Sequence, residues 1–187
     1  MSDRILKYRD ILPNIASTAM IADNATISGD VKIGAKANIW FGCVIRGDVA
    51  PIKIGAGTNI QDNSVIHVSR ANHPTNKTGS QVAPTIIGKG VTVGHKALIH
   101  AALIGDYCFI GMGSIIMDLA NIEANAMIAA GAVLTPKKQV KYGEIYAGNP
   151  AKLLRKMSED EMRYIKTSET NYIELAEEYF SYYNQNQ

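Results

Sequence analysis

Along most of this 187-residue chain, an aliphatic side chain returns at every sixth position. One run is Ile15, Ile21, Ile27, Ile33, Ile39 and Ile45, and shorter runs are Ile54, Ile60, Ile66 and Ile87, Val93, Ile99. A last run goes from Ile104 through Ile110, Ile116, Ile122, Ile128 and Leu134 to Val140. A helix needs a period near 3.6 and an ordinary strand a period of two, so neither accounts for a six. Four places after the aliphatic residue comes a small or β-branched one, as in Ala25, Val31, Ala37, Cys43, Val91, Cys108 and Ala126. This combination marks a parallel β-helix in which each hexapeptide forms one flat side of a coil. Both repeated slots point inward, and because no coil buries them alone, stacked coils share one core. Three hexapeptides close a triangular coil, so residues about eighteen apart lie one above another, about 4.8 Å away.

The period is broken in three places, which divides the chain. Residues 1–14 form an N-terminal arm along an edge or over the first coil. Residues 15–150 form the β-helix, interrupted at 68–86 by a polar loop carrying Arg70, Asn72, Pro74, Gly79 and Pro84. Long loops thrown out of a regular solenoid are usually functional or interacting elements. Residues 151–187 form a helical tail of one or two helices: Ser158 and Glu161 have capping-box spacing, and Met162, Ile165, Ile173, Ala176 and Phe180 give an apolar stripe.

At 47% hydrophobic residues the chain can hold one sizeable core. Its net charge of +2 offers no basic footprint for nucleic acid. The N-terminal residues show no apolar leader, and no apolar run is long enough to span a bilayer, so the chain reads as cytoplasmic and off the membrane. Cys43 and Cys108 both fall in the inward small slot and read as reduced core residues.

Three histidines then acquire positions. His67 follows Ile66 and His100 follows Ile99, so both occupy the same outward slot on the third side of successive coils, with Arg46 one coil earlier. Two imidazoles at about 4.8 Å backbone spacing can reach one ion at roughly 2.0–2.1 Å per Zn–N bond. His95 lies on a second side, out of their reach within one chain. It can complete the site if a second copy packs its second side against this third side, a heterologous contact that closes into a ring when repeated about a threefold axis. A solitary outward histidine on a β-helix is ordinarily just solvated; the stacked pair plus a third is what points to a shared metal site.

The chain also resembles the γ-class carbonic anhydrases, hexapeptide-repeat proteins with left-handed coils, over residues 10–187. The matching stretches are Ile45-Arg46-Gly47-Asp48, Asn59-Ile60-Gln61-Asp62, Val65-Ile66-His67 and Val93-Gly94-His95-Lys96-Ala97-Leu98-Ile99-His100, with Tyr146-Ala147-Gly148-Asn149-Pro150-Ala151 further on. The resemblance implies a homotrimer in which His67 and His100 of one subunit and His95 of the next hold zinc, with iron or cobalt as substitutes. It implies reversible hydration of CO2 to bicarbonate by a metal-bound hydroxide. Gln61 would orient the metal-bound oxygen or the substrate, Tyr172 would lie near it, and Arg46, Asp48 and Asp62 would form a charged network between subunits. The family's best-studied members carry proton-shuttling glutamates at two places; here the first is Val49, and residues 68–85 contain no Asp or Glu. His73, in that loop, is the candidate relay. Two other readings share the repeat: a hexapeptide acyltransferase using acyl-CoA with a histidine base, and a non-catalytic binding or scaffold protein with a retained metal site.

Overall fold

A computed structural model describes residues 4–71 and 82–185 of the chain. Its short strands wind into a parallel β-solenoid with a single helix after it, as the repeat leads one to expect. The second sides stack as one sheet of eight strands, from Met20–Ile21 through Asn38–Ile39, Asn59–Ile60 and Thr92–Val93 to Glu144–Ala147 and Lys152–Lys156. First and third sides merge into a sheet of twelve strands, because the continuous strand Val44–Ile54 runs from a third side into the next first side.

The aliphatic slots fill the interior. Isoleucines of the six-residue period from Ile27 to Ile128, with Leu134 after them, are essentially sealed from solvent, and Ile52, outside that period, is sealed beside them. Ile52 pairs with Val31 and so fills the inward slot two places before Ile54, because the ladder's register slips by three residues between Gly29 and Val31. Full burial of each such side chain is worth about 1.5–3 kcal/mol, so the stack is held by many equal contributions. Cys43 and Cys108 are fully buried and unpaired, and burial pushes their thiols up to about 11 and about 12.

The arm joins the sheet, with Ile5–Leu6 lying parallel to Ile27–Ser28. The inserted loop is pinned at its base by an antiparallel bridge between Ser69 and Ala83, with N–H···O distances of 3.1 and 3.0 Å. The tail differs from an all-helical one. Lys152–Lys156 first turns back antiparallel on Glu144–Ala147, and one helix, α1 (Glu159–Gln185), follows. Ser158 and Glu161 do form the reciprocal cap, the Glu161 N–H donating to Ser158 Oγ at 3.2 Å and the Ser158 N–H to Glu161 Oε2 at 2.8 Å. α1 then runs back along the second sides as far as the strand Met20–Ile21. Among the described residues, no helix is long and apolar enough to cross a membrane.

Candidate metal centre

The third side carries one half of the site. Gly29 and Gly47 let two coils approach so closely that a Cβ on Gly29 would meet the Gly47 carbonyl oxygen at 2.3 Å. Gly29 also needs a positive φ of 78°, which glycine adopts without strain. This close approach fixes the part of the strand Val44–Ile54 that carries Arg46 and Asp48. Coil register pairs His67 directly with His100, whose ring centroids are 5.2 Å apart. Asp48 bridges the column: Oδ1 lies 2.9 Å from His67 Nε2, and Oδ2 accepts from Arg46. On the far side, His100 Nδ1 lies 2.6 Å from Asp118 Oδ1. Val49, Val68, Ser69 and Arg70 wall the adjoining cleft of about 240 Å³.

The protons in this column decide what it can hold. A carboxylate can only accept, so His67 Nε2 and His100 Nδ1 donate to Asp48 and Asp118. A neutral imidazole has one N–H, which leaves His67 Nδ1 and His100 Nε2 as bare lone pairs facing each other at 3.2 Å. Burial lowers the His67 pKa, with Arg46 and His100 adding and Asp48 opposing, so the neutral ring is favoured there. Burial alone would raise Asp48; its hydrogen bonds from His67 and Arg46 outweigh that and lower it. With His67 neutral, the hydrogen bond and the Arg46 charge are what hold Asp48 ionised. Two facing lone pairs call for a cation between them. Two nitrogens on a tetrahedral zinc with bonds of roughly 2.0–2.1 Å stand about 3.3 Å apart, close to the separation found. Asp118 points the same way, being 6% exposed with Oδ2 buried and, among the described residues, without a partner, a negative charge that a cation beside His100 would offset. The donor set fits a metal.

The second side carries the other half. His95 sits at a coil corner just before Lys96, whose φ of 58° makes the turn. Its Nδ1 lies 2.8 Å from Asp62 Oδ2, so Nε2 is the atom turned to the outside. Gln61 is 6% exposed and donates from Nε2 to Asn59 Oδ1 at 3.0 Å. Tyr172 packs edge-on against Trp40 at 5.8 Å, and burial, with the Asp62 charge adding, raises its phenol pKa. The structure therefore brings Arg46, Asp48, His67 and His100 together, and Gln61, Asp62, His95 and Tyr172 together, on different sides. Among the described residues, no three side chains of His, Cys, Asp or Glu converge within one chain to hold a metal. Asp48 and Asp62, expected between subunits, each engage a histidine of their own chain. His73 lies outside the described residues. Asp118 was not foreseen; its only signal is its place eighteen residues after His100, one coil on.

No family model matches the chain, but individual proteins do. "Gamma carbonic anhydrase 1, mitochondrial" of Arabidopsis thaliana is 43% identical over 173 residues, 92% of this chain; the chain spans 61% of that relative's length. A "Carbonic anhydrase" of Geobacillus kaustophilus is 43% identical over 175 residues, covering 94% of this chain and 90% of that one. Among solved structures, a hexapeptide transferase family protein from Anaplasma phagocytophilum superposes with a TM-score of 0.87 at 47% identity, over 96% of this chain and 99% of the other.

Proposed function

The chain belongs to the γ-class carbonic anhydrase family, and on that premise we propose that it interconverts CO2 and bicarbonate at a zinc centre shared between neighbouring copies in a homotrimer. His67 and His100 come from one copy and His95 from the next. The observation that carries this reading is the pairing of each half-site's histidines with carboxylates. Asp118 and Asp62 hold the Nδ1–H of His100 and His95, which leaves the Nε2 lone pair of each as a ligand.

When bound, the ion supplies the activation of water at near-neutral pH. The chain's own residues do the rest. Asp48 and Arg46 lock the His67 ring with its bare nitrogen toward His100. Val49 and Val68 give the cleft an apolar wall suited to CO2, and Arg46 and Arg70 at its edge favour the bicarbonate anion. Gln61 orients the reacting oxygen, and the raised phenol of Tyr172 stays protonated as a donor at neutral pH. With Val49 where the family's best-studied members carry a shuttling glutamate, His73 is proposed as a partial relay that external buffer supplements. An exposed aliphatic ladder, Val44, Val65, Leu98 and Ile115, each 37–39% exposed, runs beside His67 and His100 and supports the burial of this side against another copy. The acyltransferase reading draws on the name of the hexapeptide transferase family protein and, like the scaffold reading, on the repeat fold, which hosts many chemistries.

Metal analysis of purified protein together with a CO2 hydration assay tests the reading. His67→Ala, His95→Ala and His100→Ala should each lose the metal and the activity while circular dichroism stays unchanged. Full metal occupancy in any of the three would remove that residue from the ligand set.

A further inference from the structure

We propose that Thr92 and Ser168 are positioning residues that set which end of the Gln61 side-chain amide faces away from the core. The proposal rests on the reading of Gln61 as the residue that orients the reacting oxygen. Asn38, Asn59 and Thr92 stack in register on three successive second sides, beneath α1. There a buried chain of hydrogen bonds leads from Gln61 to the helix. Gln61 Nε2 donates to Asn59 Oδ1 at 3.0 Å, and Asn59 Nδ2 donates to Thr92 Oγ1 at 3.0 Å. Thr92 Oγ1 lies 2.9 Å from Ser168 Oγ on α1. Asn59, Thr92 and Ser168 are 0%, 1% and 5% exposed, so water cannot substitute for a missing partner without a cost.

The polarity of the chain follows from its end. Ser168 gives the Thr92 hydroxyl proton somewhere to go, which leaves Thr92 Oγ1 free to accept from Asn59. That fixes the Asn59 amide with its oxygen toward Gln61, and the Gln61 amide with its nitrogen toward Asn59. Oε1 of Gln61 is then the atom left over; among the described residues it accepts no hydrogen bond. Without Ser168, the Thr92 proton is best placed on Asn59 Oδ1, which reverses both amides together and turns the Gln61 NH2 outward. An acceptor becomes a donor. Because α1 also carries Tyr172, docking of one helix sets both the amide and the phenol.

The test is the side-chain amide signal of Gln61 in 15N-labelled, metal-free protein, with CO2 hydration in the metal-loaded protein. In the parent and in Thr92→Ser, which keeps the hydroxyl, one Gln61 amide proton should exchange slowly. In Thr92→Val and in Ser168→Ala, which favours the helix, that protection should be lost and the amide shifts should move. In the loaded protein both should lower kcat/KM roughly tenfold, an effect on orientation, while kcat, set by proton transfer, holds. Unchanged Gln61 amide signals in Thr92→Val and Ser168→Ala would overturn the proposal. Moved signals with kcat/KM untouched would uphold the positioning and overturn the role of Gln61 in the reaction.

Discussion

Mixing two dead variants should restore metal, and the amount is fixed by which side of the prism each histidine occupies. His67→Ala damages every third side and leaves second sides intact; His95→Ala does the reverse. Neither alone forms a complete centre. When the two chains are co-expressed in equal amounts and assemble at random, half of the third sides and half of the second sides are intact. About one interface in four then joins two intact halves, so metal content and CO2 hydration should return to about one quarter of the parent. Elemental analysis of the isolated oligomer, with subunit ratios read by mass spectrometry, measures this. A control follows from the same geometry. His67 and His100 share a side, their backbones paired and Nδ1 and Nε2 3.2 Å apart. Co-assembly of His67→Ala with His100→Ala therefore leaves no intact third side and should restore nothing. Recovery in the control equal to that in the mixture, or none in the mixture, would refute a centre split between sides.

Ile66→Ala or Ile99→Ala, each at a fully buried position, should destabilise the fold by about 2–5 kcal/mol in denaturant unfolding, whereas His67→Ala in metal-free protein should cost far less. Glu161 is held down to about 2 by the Arg155 guanidinium and the Ser158 N–H, against an ordinary 4.5. A depressed carboxyl supports the folded state fully above its ordinary value and loses that support as pH falls toward the folded one. The melting temperature should therefore fall less steeply below about pH 5 in Glu161→Gln than in the parent; equal slopes would assign the acid sensitivity elsewhere. Hydration by the parent should speed up as imidazole-type buffer is added at constant pH, because Val49 occupies a shuttle position, and Val49→Glu should blunt that response. A parent rate indifferent to buffer would show that a relay already exists.

The coil stack could be read from the chain because each six-residue unit repeats the same inward pair of slots, and the sealed isoleucines of the stack follow from it with Ile52 as the exception. The adjacency of His67 and His100 was legible for the same reason: a period fixes register, and register fixes neighbours. Asp118 was not, since an aspartate one coil on looks like any corner residue until its carboxylate is seen under an imidazole. Thr92 and Ser168 were out of reach altogether. They are 76 residues apart and meet only because α1 docks on the second sides, which no local pattern encodes. The strand Lys152–Lys156 was hidden too, because all five residues are exposed and it shows no alternation of burial; its partner's register alone makes it a strand.

That reversed strand has a consequence for how the molecule avoids polymerising. A solenoid is a ladder that could grow without limit, since the last rung offers unsatisfied backbone groups in the geometry that a first rung of another molecule would accept. Here the terminal second side is closed by a segment running the opposite way, so an incoming parallel rung finds the wrong direction. The same segment places Lys152 on the free edge, a charge that an incoming strand would have to bury, while Arg155 and Lys156 pair with Glu161 and Glu144 of their own chain. Fibre growth is blocked on that side by strand polarity and by charge.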